Sequence, residues 1–229
     1  MISKNEIYII IPVFNEATVL ESVVSKVLDQ GYNVICIDDG STDHSQDILK
    51  SLKVTNLKHR INLGQGAALN TGLEYCRRVD ANYVATFDSD GQHNIEDLPE
   101  MLEVLSRSKV DIVLGSRFLS AESKNKVPFA RRLLLRLARL IVSTQSDLKL
   151  TDAHNGYRLL SKVAIEKINF KGLGSSHASE IVDLIAKHNL KFAECGVNVE
   201  YTDYSLKKGQ SFLSAPRILF DYYVSKLFK

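Results

Sequence analysis

The fold is read from Tyr83-Val84-Ala85-Thr86-Phe87-Asp88-Ser89-Asp90-Gly91-Gln92, an apolar run that ends in two carboxylates and an amide at i, i+2 and i+4. A strand ends there, and in an open α/β sheet the carboxyl ends of the strands face the ligand crevice. Carboxylates two apart on an extended chain point to opposite sides. One can meet a divalent cation directly, while the other reaches it through a turn or holds the substrate. Hard cations with oxygen ligands, Mg²⁺ or Mn²⁺, bind diphosphates in this way. Taken alone, the tripeptide also reads as a polar turn with an Asx cap before a helix at Ile95–Ser106.

On both sides of this run strand and helix alternate. Ile7–Val13 is nearly continuous in apolar residues, as expected of a strand buried on both faces. Ala17–Gln30 has helical spacing and stops at Gly31. Val34–Ile37 reads as a strand, Thr42–Leu52 as a short helix, Leu57–Arg60 as an edge strand and Gln65–Val79 as a helix. After the strand Tyr83–Phe87 and the helix Ile95–Ser106 comes a strand at Asp111–Leu114. This βαβ repetition predicts a parallel sheet with right-handed crossovers. The second half is less regular: helix at Phe129–Ser143, strand at Gly156–Leu160, helix at His177–His188, strand at Lys191–Tyr201 and a terminal helix at Phe212–Phe228.

With 229 residues, 45% of them hydrophobic, the chain suits one α/β domain better than two. A formal charge of +2 gives no general attraction to nucleic acid. Cys36, Cys76 and Cys195 stand far apart and read as reduced core thiols of a cytosolic protein. The segment Met1-Ile2-Ser3-Lys4-Asn5-Glu6 is not a signal peptide, and no uncharged apolar run is long enough to span a membrane.

Polar clusters fall at the carboxyl ends of the early strands: Pro12-Val13-Phe14-Asn15-Glu16, Asp38-Asp39-Gly40-Ser41-Thr42-Asp43 and the Asp88 cluster. Asn62-Leu63-Gly64-Gln65-Gly66-Ala67 precedes the third helix. Each alone can be a turn or a helix cap. A dinucleotide-binding fold would place Gly-x-Gly-x-x-Gly in its first strand–helix turn, where this chain has Phe14, Asn15 and Glu16. Four clusters in such places exceed what capping explains.

Together with Gly115-Ser116-Arg117, Thr151-Asp152 and Gly156-Tyr157-Arg158-Leu159, the chain resembles the family 2 glycosyltransferases, inverting enzymes of the GT-A fold. The closest likeness is to the dolichyl- and polyprenyl-phosphate mannosyl- or glucosyltransferase branch, over nearly the whole chain. The resemblance implies a single catalytic domain over 1–229: a nucleotide-sugar-binding half (1–117), an acceptor-binding half (118–211) and an amphipathic C-terminal helix (212–229). By resemblance Pro12, Phe14, Glu16 and Asp39 hold the nucleoside, with Ser89 also on the donor. Asp88, Asp90 and Gln92 surround a metal, Mg²⁺ or Mn²⁺, and the sugar diphosphate, and Asp90 also acts in catalysis. Arg117 and Arg131 match basic positions that contact a lipid phosphate, a group for which Arg is well suited.

Asp152 matches the acid that serves as catalytic base in many members. A sugar hydroxyl must lose a proton as it attacks, and a carboxylate is the usual base. A lipid phosphate is already anionic, and Asp152 would then orient or hydrogen-bond. His154 and His177 are alternatives for the base. Phe129–Ser143 carries Arg132, Arg136 and Arg139 on one face and leucines on the other, a pattern shared by bilayer-surface helices and ordinary packed ones. The branch has an Asp-Arg pair before a Gly-x-Ser turn, where this chain has Asp203-Tyr204 and then Lys207-Lys208-Gly209-Gln210-Ser211. The missing Arg tells against a phosphate acceptor, and Lys208 can stand in for it. Many relatives carry transmembrane helices after the catalytic domain, so a small membrane-protein partner is expected. The reading is sugar transfer with inversion to polyprenyl phosphate, peripheral at the cytoplasmic membrane face. A hydroxyl of a lipid-linked or cell-surface glycan is the alternative acceptor, and a non-catalytic nucleotide-sugar-binding subunit the other class.

Overall fold

The computed structural model describes residues 2–120, 148, 150–152, 155–170, 177–201 and 204. Among the described residues seven strands form one sheet: β1 (Ile7–Val13), β2 (Asn33–Asp38), β3 (Thr55–Lys58), β4 (Tyr83–Thr86), β5 (Ile112–Ser116), β6 (Arg158–Ser161) and β7 (Phe192–Gly196). Their spatial order is β3-β2-β1-β4-β6-β5-β7. β1–β2, β1–β4, β2–β3 and β5–β7 pair in parallel, whereas β6 runs antiparallel between β4 and β5. The parallel expectation therefore holds on the β1 side and is corrected at β6. A single reversed strand lets the chain return from beyond residue 118 into the gap between β4 and β5.

Helices cover both faces, which is why the central strands are apolar on both. Leu20, Val23 and Val27 of α1 (Leu20–Asp29), Leu49 of α2 (Ser45–Ser51) and Leu98, Met101 and Leu105 of α4 (Leu98–Ser108) pack on one face. Ala68, Leu69 and Leu73 of α3 (Gln65–Arg78), Ile165 of α5 (Lys162–Lys167) and Ile181 and Ile185 of α6 (His177–Lys187) pack on the other. Along β1, Ile9 and Ile11 join the first cluster and Ile10 the second, the alternation of a strand.

Several boundaries move for local reasons. α1 starts at Leu20, not Ala17, because the preceding turn is tied to the loop after β2: Glu16 N–H donates to Ser45 Oγ (2.9 Å) and Ala17 N–H to Asp43 Oδ2 (3.1 Å). β3 lies two residues earlier than expected, since its ladder with β2 runs from Ile35–Thr55 to Asp38–Lys58, where β2 ends. The expected strand Lys191–Tyr201 stops at Gly196, level with Ser116 at the end of β5. The chain then turns to the loop after β4, bridging Val199 to His93, with Glu200 N–H donating to Gln92 O at 2.8 Å. α5 was not foreseen. The three cysteines are free and buried, as expected of core thiols. Among the described residues no helix is long and apolar enough to cross a membrane. The helices expected at Phe129–Ser143 and Phe212–Phe228 lie outside the described residues.

Candidate active site

The sheet order puts a switch point beside β1: the chain moves to β2 and β3 on one side, then returns to start β4 on the other. A ligand crevice opens outside such a point. Pro12 marks it. Ile10 O accepts from Phe87 N–H at 2.9 Å, so the even residues of β1 face β4, and Pro12 has no N–H to extend that ladder. Its carbonyl instead accepts from Ser89 Oγ at 2.8 Å. Ser89, expected on the donor, thus ties the ends of β1 and β4 together.

The expected nucleoside residues are gathered around this opening. Phe14 is 40% exposed. Glu16 is buried, and its Oε2 accepts from the Tyr204 hydroxyl at 2.7 Å, so the residue in place of the usual Arg reaches back to the end of β1. Asp39 is buried and accepts from Leu63 N–H (2.9 Å) and Gly64 N–H (2.7 Å). His59 Nδ1 lies 2.7 Å from the same carboxylate, with His59 Nε2 2.9 Å from Thr71 Oγ1. Asp39 therefore anchors the 59–64 loop.

The metal candidates divide into holders and held. Asp90 Oδ1 accepts from Gln92 N–H (3.0 Å) and Oδ2 from Gln92 Nε2 (2.8 Å), so Gln92 aims Asp90. Asp88 Oδ1 accepts from Gln65 Nε2 at 2.8 Å, which brings the start of α3 into the site. Asp88 lies so close to Gly156 that any Cβ there would collide with both its oxygens. Burial pushes the Asp88 carboxyl up, opposed by Arg158 and then by the Gln65 hydrogen bond. Asp90 is raised by burial and then by the Asp88 charge. His93 Nδ1 accepts from Asp88 N–H at 3.2 Å, and its ring stacks on Tyr157 with centroids 5.1 Å apart. Burial takes its pKa to about 4 against the pull of Asp90, so the imidazole is neutral at physiological pH.

Among the described residues no group of three or more His, Cys, Asp and Glu is arranged to hold a metal. Two mutually repelling carboxylates at the crevice fit the other kind of site. There a hard cation takes one or two carboxylates and completes its shell with substrate phosphates and water.

At the end of β5, Arg117 and Asp152 form a buried ion pair: Arg117 Nε lies 2.6 Å and Arg117 N 3.2 Å from Asp152 Oδ2. Burial opposes the Arg117 charge, and Asp152 followed by Tyr201 more than offsets this, leaving its pKa above the ordinary value. The turn carrying Asp152 is held by Glu194, which accepts from Thr151 N–H (2.9 Å), Thr151 Oγ1 (2.8 Å) and Asp152 N–H (3.2 Å). Ser116 Oγ closes the network at 2.6 Å from Thr151 Oγ1. Two side chains expected to serve different acceptors are therefore partners. Arg131, His154, Lys208 and the side chain of His177 lie outside the described residues.

Sequence reasoning assigned no role to Gln65, Gly156, Arg158 or Glu194. Gln65, Gly156 and Arg158 stand inside the motifs above, but their nearness to Asp88 is a tertiary fact with no signal along the chain. Glu194 sits in a strand pattern and gave none.

Residues 8–169 match the family described as glycosyl transferase family 2. The chain is 27% identical over 243 residues to the UDP-N-acetylglucosamine--dolichyl-phosphate N-acetylglucosaminyltransferase of Methanococcus voltae, covering 97% of each. It is 26% identical over 207 residues to the polyprenol monophosphomannose synthase of Mycolicibacterium smegmatis, covering 86% of this chain and 78% of that one. Glucosyl-3-phosphoglycerate synthase of Mycobacterium tuberculosis, solved with Mn²⁺, uridine diphosphate and glucosyl-3-phosphoglycerate, superposes with a TM-score of 0.71 at 16% identity. That match covers 94% of this chain and 77% of that one. It shows the fold, a GT-A sheet. With the switch-point crevice, the acid pair after β4 and the match over 8–169, the chain belongs to glycosyl transferase family 2, and it is a glycosyltransferase.

Proposed function

We propose that the protein transfers a sugar, with inversion, from a nucleotide-diphosphate sugar to polyprenyl phosphate at the cytoplasmic face of a membrane, using Mg²⁺ or Mn²⁺. The observation that carries the choice of acceptor is the Arg117–Asp152 pair. A general base must be able to take a proton from its substrate, and Asp152 is already bonded to a guanidinium. An anionic phosphate needs no base. It gains from Arg117 at the crevice end of β5, and Asp152 orients that side chain. The relatives named for dolichyl phosphate and polyprenol support the same acceptor class.

Glycosyl transfer passes through an oxocarbenium-like transition state as the diphosphate leaves with growing negative charge. A bound divalent cation supplies Lewis-acid stabilisation of that charge. Asp88 and Asp90 would hold it, with Gln65 and Gln92 fixing their carboxylates, while Phe14, Glu16 and Asp39 border the nucleoside. Residues 1–117 form the donor half and 118–211 the acceptor half, with Arg131 and Lys208 as further phosphate contacts. A small membrane-protein partner would bring the domain to its lipid.

A hydroxyl acceptor on a glycan is the second reading, favoured by Tyr204, whose hydroxyl is turned to Glu16 where the branch has an Arg. A panel of nucleotide sugars, with polyprenyl phosphate or with glycan acceptors and products read by mass spectrometry, separates the two. A sugar–phosphate–lipid product is expected. Transfer to hydroxyls alone would overturn the first reading, and hydrolysis-free binding without any transfer would favour the non-catalytic subunit.

A further inference from the structure

Among the described residues Arg158 heads the fully buried side chains by volume, at 1% exposure. It sits in β6, directly across from Thr86 of β4 on one side and Leu114 of β5 on the other. Opposed residues of an antiparallel ladder project to the same face. On that face, Val84 and Leu160 belong to the cluster under α3, so Arg158 shares the side of the sheet from which Gln65 reaches Asp88. Both terminal nitrogens, Nη1 and Nη2, are buried without a hydrogen-bond partner among the described residues. An unpaired buried guanidinium is costly, and an apolar residue of similar volume would serve packing better.

The charges that act on it are Asp88 first and Asp152 second. Burial lowers its pKa to about 10, with those two carboxylates opposing, so it stays cationic at neutral pH. The Asp88 carboxylate thus has Gly156 and Gln65 against it and feels the Arg158 charge. Arg158 cannot reach a ligand in the crevice. Its field can.

We propose that Arg158 is a positioning charge that weakens the hold of Asp88 and Asp90 on a bare divalent cation, and so couples metal binding to diphosphate binding. This rests on the metal reading above. The physical reason is a change of sign. A free dication is repelled by a fixed positive charge near its ligands, whereas a metal–nucleoside diphosphate complex carries about one net negative charge and is attracted by it. Such a term acts at several ångströms in a medium of intermediate dielectric.

The test compares the wild-type chain with Arg158→Met and Arg158→Lys, titrating Mn²⁺ and reading the free ion by electron paramagnetic resonance. Titrations are run alone and with uridine or guanosine diphosphate. Arg158→Met is expected to bind Mn²⁺ alone on the order of tenfold more tightly than wild type and to gain less from the diphosphate. Arg158→Lys, which keeps the charge, should behave as wild type. Unchanged or weaker binding of Mn²⁺ alone by Arg158→Met overturns the inference, as does an equal change in both variants. Arg158→Gln replaces the Met variant if that one does not fold. If neither neutral variant folds, Arg158 is a folding counter-ion and the inference falls. No Mn²⁺ binding by wild type, with or without either diphosphate, would sink the metal reading itself, a distinguishable failure.

Discussion

The two ends of the crevice handle negative charge in opposite ways. Around β1, β2 and the loop after β4, carboxylates are held by amides, a hydroxyl and an imidazole: Asp39 by Leu63 and Gly64 N–H and His59, Glu16 by Tyr204, and Asp90 by Gln92. Around β5 and the 151–152 turn, Asp152 is bonded to Arg117, and Glu194 pins the turn through its N–H groups. Amide and hydroxyl donors aim a carboxylate without cancelling its charge. A guanidinium cancels it. The first region is thereby built to receive a cation with its anionic donor, and in the second Asp152 is taken up in orienting Arg117.

The largest expected effect lies in the first region. Asp90→Ala should abolish transfer with the fold intact by circular dichroism, because the cation's stabilisation of the leaving diphosphate is worth several kcal/mol of barrier. EDTA should do the same to wild type. Undiminished turnover in either case would break the contrast at its root.

In the second region, removing one partner of a buried ion pair leaves an uncompensated charge, at a cost of about 3–5 kcal/mol. Arg117→Ala should lose stability on that scale in urea unfolding, and the Arg117→Ala/Asp152→Ala double variant less than the sum of the singles. Additive losses would mean the two side chains are not coupled. With polyprenyl phosphate as acceptor, Asp152→Asn should keep substantial turnover. Arg117→Ala should lose more, since a charge-assisted phosphate contact is worth about 1.5–3 kcal/mol. The reverse order, with Asp152→Asn down on the order of 10²–10⁴, would mark Asp152 as a base acting on a hydroxyl.

Asp39→Ala sharpens the comparison by separating anchoring from binding. Two part-buried N–H groups lose a charged acceptor, so a destabilisation of about 1–3 kcal/mol is expected. Calorimetry should also show weaker nucleoside diphosphate binding. A stability loss with unchanged affinity would reduce Asp39 to a loop anchor.

The smallest effect is a pH slope. His93 has a folded pKa of about 4 against an ordinary 6.5, so the unfolded chain binds its proton first as pH falls. Its contribution to stability is fully present above about 6.5 and is lost towards 4, by about 1.4 kcal/mol per pH unit. Asp88 and Asp90, raised by burial, act in the opposite sense, so the clean measurement is the difference between wild type and His93→Gln in urea unfolding at pH 7 and pH 5. Parallel pH profiles would show that His93 is not the buried neutral group described here.

Much of this was legible along the chain. β1 and β4 were found nearly to the residue, because strands covered on both faces are apolar throughout. The polar clusters were found because turn chemistry and ligand chemistry both concentrate where strands end. The start of α1 and the end of β7 were misjudged, since each depends on a loop distant in sequence that competes for its backbone groups. Arg158 was quoted without a role because nothing local says that an Arg in a strand is buried.

The sequence by itself determined the layered α/β architecture, the carboxylate pair after β4 and the family, all of which rest on local periodicity and the order of short motifs. Tertiary structure alone decided which side chains answer one another. The reversal of β6 carries Gly156 and Arg158 to Asp88, and the register of β5 with β7 sets Glu194 under the turn that holds Asp152 against Arg117. Charges interact through space, so a carboxylate's role is set by neighbours whose separation along the chain carries no trace of their distance in the fold.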